Sequence, residues 1–257
     1  MMSKIEKVTA IIPCFNEENT IAKCIESVLW ADEILVVDSF STDKTPEIVK
    51  SFPKVTFVQH EYINSATQKN WIIPQAKNNW IFLLDADEYA PEKLINEVND
   101  IIHHQPKHDA YWIYRNSIFM DKLLNHTWKH DRVIRLFKRD TCKYQDLHVH
   151  SEVETTGTVG VMKNKIIHDT YKDWTTQLKK GERYTTWGAY DRVDKIEKVT
   201  LYHLMFKPAF AFFREYVLRL GFLDGKQGFI IASLTGWNVF NRFVKIISIH
   251  KGEKFKR

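Results

Sequence analysis

Short runs of apolar residues alternate, over the first hundred positions, with segments in which apolar residues return every third or fourth place. Residues 8–12, 33–38, 55–59 and 80–84 are too continuously apolar for strands with a wet face, so they read as strands buried on both sides. Between them, residues 18–29 place Ile21, Ile25, Val28 and Leu29 on one helical face. Residues 45–51 form a second expected helix, with Pro46 in the first turn where its missing N–H does no harm. Residues 65–76 form a third. Strands and helices alternating at this spacing predict an α/β fold, a mostly parallel Rossmann-like sheet with helices on both faces.

Open sheets of this kind collect ligands beyond the carboxyl ends of their strands, so the polar residues that follow each strand carry the chemistry. The first strand runs into PCFNEE at 13–18, the second into DSFSTDKT at 38–45, and the fourth into DADE at 85–88. Asp85 and Asp87 are two apart in an extended segment and are expected to leave the same side of the chain, with Glu88 pointing elsewhere. Two hard oxygen donors side by side suit Mg²⁺ or Mn²⁺, which favours carboxylates together with substrate phosphates. Alone, the pair reads equally well as a wet loop in which an Asp caps the helix that Pro91 begins. Asp38 has the same two readings: an acceptor for the N–H of a uracil, or a cap for its own Ser/Thr-rich turn.

A second polar rim is expected at 145–154, QDLHVHSEVE. With period two, Asp146, His148, His150, Glu152 and Glu154 share one face and Leu147, Val149 and Val153 the other. Such a strand can line an acceptor cleft or present the wet face of a sheet edge. From 202 to 245 the pattern turns helical, with Phe206, Phe210, Phe213, Val217 and Leu220 at spacings of three and four and Lys207, Arg214 and Arg219 toward another face.

Charge sharpens the reading of this tail. Residues 201–257 hold ten Lys and Arg against three Asp and Glu, a local +7 in a chain whose net charge is +5. They also hold 12 aromatic residues. Basic, aromatic and amphipathic describes a helix that lies on an anionic membrane surface, and packing on the protein or on a second copy is the alternative. The longest uncharged stretch, 227–241, is 15 residues, short of the roughly 18 a spanning helix needs. No nucleic-acid module is recognisable, so no nucleic-acid partner is expected. Cys14, Cys24 and Cys142 are odd in number and form no CxxC pair, which points to reduced, buried thiols. The charged start, MMSKIEK, leads to a short apolar run ended by Pro13, unlike a secretory signal, so a cytoplasmic location is expected. No GxGxxG follows a strand, which argues against a dinucleotide enzyme. An aspartyl phosphatase pattern, DxDx(T/V), meets Tyr89 at its last position.

Taken in order, IIPCFNEENTI, ILVVDSFSTDKT, TQKNW and WIFLLDADE resemble the nucleotide-diphosphosugar glycosyltransferases of the inverting family 2, which have the GT-A fold. The resemblance covers about the first 100 residues. It implies Pro13, Asn16 and Glu17 around the base and ribose, Asp38 on the uracil ring, and Lys69 and Asn70 along the nucleotide or phosphates. It further implies Asp85 at the ribose and metal, Asp87 on the Mn²⁺ or Mg²⁺, and His168 completing the metal shell. The segment GFLDG at 221–225, with Lys207-Pro208 before it and Gly228 after it, resembles the branch containing lipopolysaccharide-core β-glucosyltransferases. That branch implies transfer of a hexose, glucose for preference, from a UDP-sugar to a lipopolysaccharide-core or lipid-linked saccharide. The setting would be the inner face of the cytoplasmic membrane. Relatives carry an acid directly after the VH dipeptide, where this chain has Ser151. Glu152 is then the expected general base, with Asp146 and His150 in reserve. The domains expected are a nucleotide-sugar half at 1–110, an acceptor half at 111–198 and a basic helical region at 199–257. A membrane-surface binder of the same fold, without turnover, is the alternative that the change at Ser151 leaves open.

Overall fold

The computed structural model describes residues 6–145, 152–171 and 174–255. The strand β1 (Val8–Cys14) is buried along almost its whole length. Its even-numbered residues Val8, Ala10, Ile12 and Cys14 join Ile34, Val36, Trp80 and Phe82 in one apolar cluster. Its odd-numbered Ile11 joins Leu35, Val37, Ile81 and Leu83 in another. Two cores on two faces are what continuous apolar runs require. After β1 come α1 (Ile21–Glu26), β2 (Glu33–Asp38), α2 (Thr45–Lys50), β3 (Val55–Gln59), α3 (Ser65–Ile72) and β4 (Trp80–Leu83). All pairings among β3, β2, β1 and β4, in that spatial order, are parallel.

The helices are shorter than their apolar spacing suggests. The first starts late because Thr20 and Ile21 both bond to the carbonyl of Glu17, tightening the entry turn, and Val28 bonds three residues back to Ile25 at its exit. The third passes into a 3₁₀ turn at Ile73–Gln75, where Pro74 has no N–H to continue the α ladder.

Beyond β4 the sheet becomes mixed, a feature that local spacing does not predict. The elements are β5 (Glu88–Tyr89), α4 (Glu92–His103), β6 (Ala110–Phe119), β7 (Lys122–Leu123), β8 (Arg132–Lys138), β9 (Cys142–Tyr144), β10 (Val153–Thr155), β11 (Val159–Val161) and β12 (Ile166–Tyr171). Strand β8 runs antiparallel to β4 and β6, β11 parallel to β6, β12 antiparallel to β5, and β9 with β10 forms a separate antiparallel pair. The expected alternation holds at Glu152, Val153 and Glu154, exposed, buried and exposed. Asp146, His148, His150 and Ser151 lie outside the described residues.

The chain divides into two compact units: Met1–Asn116 with His130–Thr170, and Ser117–Lys129 with Tyr171–Arg257. In the second, α5 (Trp174–Val193) packs on α7 (Lys226–His250), and α6 (Lys207–Phe213) lies between π-helical turns at Tyr202–Phe206 and Arg214–Leu218. The tail is helical, as its periodicity predicts. Its apolar stripe, however, faces outward: Phe206, Phe210, Phe213 and Val217 are exposed, while Ala211 and Glu215 of the same stretch are buried. Among the described residues no helix is long and apolar enough to cross a membrane.

The GFLDG segment is explained by its packing. A Cβ on Gly228 would lie 1.8 Å from the carbonyl oxygen of Gly221, so only glycine allows α7 to start against the 3₁₀ turn Gly221–Asp224. The buried carboxylate of Asp224 accepts the backbone N–H groups of Asn125, His126 and Thr127 at 3.0, 3.1 and 2.7 Å. Burial alone would raise the pKa of Asp224, but these donors, Thr127 foremost, hold it below the ordinary carboxylate value. Its contribution to stability is therefore full above about pH 4 and is lost as pH falls through the depressed folded-state value. Asp224→Ala, which leaves three N–H groups of one loop without their acceptor, is expected to destabilise the protein by at least about 2 kcal/mol at pH 7 in urea unfolding. The difference from the parent should shrink as the pH is lowered.

Candidate active site

The chain leaves β1 toward β2 and β3, then returns to β4 on the other side of β1, so the crevice between the carboxyl ends of β1 and β4 is the topological switch point. The loops that follow β1 and β2 are laced together beside it. Asn16 donates its N–H to the hydroxyl of Ser41 and accepts the N–H of Thr42 on its side-chain oxygen, both at 2.8 Å, and the N–H of Glu17 meets the hydroxyl of Thr45 at 2.8 Å. Asn16 reaches these partners at φ 54°, a left-handed conformation that asparagine tolerates better than most residues. Pro13 is half-buried at the start of this loop. Two aromatic rings that the sequence reading did not single out, Phe15 and Phe40, stand 54% and 55% exposed on the two laced loops.

Asp38, at the end of β2, is fully buried. Its carboxylate accepts from the N–H and hydroxyl of Ser41, the amide of Gln59 at 3.0 Å and the thiol of Cys14 at 3.6 Å. It therefore caps its own turn, and its roughly four lone-pair sites are taken. Burial, followed by the nearby Asp38 charge, pushes the Cys14 thiol well above its ordinary pKa, so it stays protonated and able to donate.

At the end of β4 the expected geometry is corrected. Glu88 does not point away from Asp85: its N–H bonds to the carbonyl of Asp85 at 2.8 Å, and its carboxylate returns to accept the N–H of Asp85 at 3.0 Å. The segment turns instead of extending, which brings the carboxylates of Asp85 and Glu88 onto one guanidinium. Arg135, on β8 and buried, donates to Asp85 and, at 2.8 Å, to Glu88. Lys69, also buried, meets the other oxygen of Asp85 at 2.9 Å. Arg115 contacts Glu88 at 3.2 Å and grips Asp131 with two parallel bonds at 2.9 and 2.8 Å. Three carboxylates face three cations in one buried chain. Desolvation would raise the pKa of Asp85, but Arg135 and then Lys69 hold it well below the usual carboxylate range.

Asp87 stands apart from that chain. Its carboxylate lies 3.5 Å from Nε2 of His168, and its carbonyl accepts the N–H of Asp169 at 2.8 Å. The pairing of β5 with β12, which sets Glu88 opposite His168, positions both groups. The structure thus brings together two residues expected at the metal. A carboxylate and an imidazole this close form a donor pair suited to Mn²⁺, or to Mg²⁺ through the carboxylate. Among the described residues no group of three His, Cys, Asp or Glu side chains forms a metal cage.

Asn70 serves a framework. Its amide donates to the carbonyl of Tyr144 at 2.9 Å and accepts the N–H of Tyr144 at 2.8 Å, acting as a strand partner for β9. That anchor holds the start of the 145–154 segment. Glu152 is exposed, and its carbonyl accepts the N–H of Gln145 at 2.9 Å.

The parallel half-sheet with acidic loops at its switch point defines an α/β fold of the GT-A kind, and solved structures share it. A mannosyltransferase, PcManGT from Pyrobaculum calidifontis, in complex with GDP-Man and Mn²⁺, superposes with a TM-score of 0.55 at 16% identity, covering 95% of this chain and 88% of that one. Residues 1–349 of S. aureus TarS in complex with UDP-GlcNAc superpose with a TM-score of 0.53 at 13% identity, covering 97% and 93%. The Glycosyl transferase family 2 profile matches residues 9–161, and the chain belongs to that family. The lipopolysaccharide core biosynthesis glycosyltransferase LpsC of Rhizobium meliloti (strain 1021) is 26% identical over 249 residues, 91% of this chain and 92% of that protein. An uncharacterized glycosyltransferase of Rickettsia felis is 25% identical over 259 residues, 94% and 90%.

Arg135 was not legible from spacing, yet two carboxylates depend on it. Arg135→Met leaves Asp85 and Glu88 without their shared counter-ion and is expected to destabilise the fold by about 3–5 kcal/mol, read by urea unfolding. A loss under about 1 kcal/mol would mean that Lys69 and Arg115 suffice.

Proposed function

We propose that the chain is a metal-dependent inverting glycosyltransferase that moves a hexose, glucose for preference, from a UDP-sugar to a lipopolysaccharide-core or lipid-linked saccharide. The observation that carries this reading is the Asp87–His168 pair, 3.5 Å apart beside the switch point and outside the self-neutralised ion chain. Family membership and the similarity to LpsC along most of both chains support the reaction and the acceptor class.

In this reading Pro13, Asn16 and Glu17 border the base and ribose, and Phe15 and Phe40 offer it exposed faces. Asp38 shapes the pocket through Ser41, and a uracil N–H would replace one of its present donors. Lys69 borders the phosphates while fixing Asp85 beside the ribose. Mn²⁺ or Mg²⁺ held by Asp87 and His168, with Asp85 beside them, would neutralise the charge of the departing diphosphate. The acceptor oxygen bonds to the anomeric carbon as that carbon's bond to phosphate oxygen breaks, and UDP leaves on the opposite side. The proton of the acceptor hydroxyl goes to Glu152, an exposed acid of the second rim, for which Asp146 and His150 are the reserves. No covalent enzyme intermediate is needed. The outward aromatic stripe of the second unit, with Lys207 and Arg214 alongside, suits an anionic membrane on which a lipid-borne acceptor is presented. Peripheral attachment at the inner face of the cytoplasmic membrane follows.

UDP release from a panel of UDP-sugars with Mn²⁺ tests the enzyme. Asp87→Ala is expected to abolish transfer and metal-dependent UDP binding without changing the fold, and Glu152→Gln to keep donor affinity while slowing turnover by roughly 10²-fold. Normal turnover of Asp87→Ala in EDTA would overturn the metal reading. Normal turnover of Glu152→Gln would move the proton to Asp146 or His150, and no turnover with any donor would favour the binder.

Sedimentation with anionic vesicles tests the surface. Each basic residue near such a membrane contributes about 1 kcal/mol, an attraction that salt screens, while inserted aromatics resist salt. The full chain should sediment at low salt and partly at high salt, and the triple change Phe206→Ser, Phe210→Ser and Phe213→Ser should remove the salt-resistant part. Absence of binding at low salt would make the stripe a packing or dimer face.

A further inference from the structure

Within the second unit, α5 and α7 enclose a groove of about 780 Å³, inside the roughly 300–1,000 Å³ span of small-molecule sites. It lies wholly in the helical unit. The two helices are clasped beneath it by the buried Lys245, whose ammonium donates to the carbonyl of Glu182 at 2.9 Å and to the hydroxyls of Thr185 and Thr186 at 2.8 and 2.7 Å. The same ammonium contacts the Glu182 carboxylate at 2.7 Å. Buried Gly181 lets Asn238 come close: a Cβ there would sit 3.1 Å from the Asn238 side-chain oxygen.

The walls combine the apolar side chains of Leu178, Leu234, Trp237 and Phe255 with three amides and charged groups. Trp237 is 55% exposed on the groove and is backed by Phe240, the two rings 5.7 Å apart and 30° from parallel. Gln177, Asn238 and Asn241 line it together with Glu182 and Arg183. Among the described residues, Oε1 of Gln177 is buried with no hydrogen-bond partner, an acceptor that calls for a donor from a ligand or water.

Each candidate occupant makes a different demand. A fatty acyl chain needs walls without polar groups, and it would leave the Gln177 oxygen unsatisfied. A phosphate would find Lys179 and Arg183 on the lining, but it would be repelled by Glu182 and, as an acceptor, would offer no hydrogen to the Gln177 oxygen. A pyranose ring carries C–H groups on one face and hydroxyls around its rim, each both donor and acceptor. An exposed indole beside amides that both donate and accept matches both features.

We propose that this groove is a saccharide-binding subsite, taking neutral hexose units stacked on Trp237 with their hydroxyls on Gln177, Asn238 and Asn241. Its place in the reaction, holding the acceptor's sugar chain, rests on the glycosyltransferase reading. Its binding does not.

The test uses the full chain in EDTA without UDP, titrated calorimetrically with core oligosaccharide released from lipopolysaccharide by mild acid, a probe free of lipid. Binding is expected, weakened about tenfold or more by Trp237→Ala and by Asn238→Ala, with Tm and UDP-sugar hydrolysis unchanged in both. Transfer to that oligosaccharide should show a raised acceptor KM in these variants with kcat retained. Undetectable binding of the probe to the parent at millimolar concentration, or equal affinity in the two folded variants, overturns the subsite. Trp237-dependent binding in a chain that turns over no UDP-sugar would sustain the subsite while the catalytic reading falls. Turnover with a Trp237-independent acceptor KM would do the reverse.

Discussion

The guanidinium of Arg135 is the point on which the candidate site depends. It lies buried between the carboxylates of Asp85 and Glu88. Two acids so close would repel one another and resist ionisation without a cation between them. With Arg135 in place, and with Lys69 and Arg115 at either side, the two carboxylates share one counter-ion and the turn after β4 closes on itself. The turn, in its closed form, aims Asp87 toward β12. A buried ion chain of this kind adds little net stability over an apolar core of the same shape, but removing one member leaves an uncompensated charge. Its value here is geometric: it sets where the one acid outside it must stand.

That arrangement explains what the sequence showed and what it hid. The parallel strands were legible because burial on both faces demands continuous apolar runs, and β2 and β3 begin and end where those runs do. The rim was legible because acids follow strands there. Asp87 and His168, both expected at a metal, lie 3.5 Å apart. The position of Glu88 was not legible, since period-two logic assumes an extended chain and a single backbone bond from Glu88 to Asp85 bends it. Arg115 and Arg135 were hidden for another reason. They sit on strands far along the chain, and local pattern carries no information about pairings across 27 to 50 residues.

Residues 38 and 70 show how a motif position can serve structure as well as chemistry. Asp38 fills its acceptor sites with Ser41, Gln59 and Cys14, and Asn70 spends both ends of its amide on the backbone of Tyr144. Each holds a loop in place, one after β2 and one at the start of the second rim. Both would be damaged by substitution through loss of loop geometry, whether or not they touch a ligand. A loss of activity at either position therefore does not by itself report contact with a ligand.

The helical unit buries charged groups beside its apolar clusters and carries aromatic rings at its surface. Its interior holds charged groups that are fully engaged: Asp224 on three backbone N–H groups, Glu215 with Arg219 at 2.9 Å and the N–H of Trp128 at 3.3 Å, Lys245 on α5. Its surface holds Phe206, Phe210, Phe213, Phe222 and Phe229. The polar clasps fix short, irregular helical turns that apolar packing alone would not specify, which frees the aromatic side chains from the core. An exposed contiguous aromatic face with basic residues along it is a feature that soluble surfaces avoid unless something covers it. In the membrane reading proposed above, the covering would be the headgroup and acyl boundary of an anionic bilayer, where rings insert and Lys and Arg side chains stay with the phosphates.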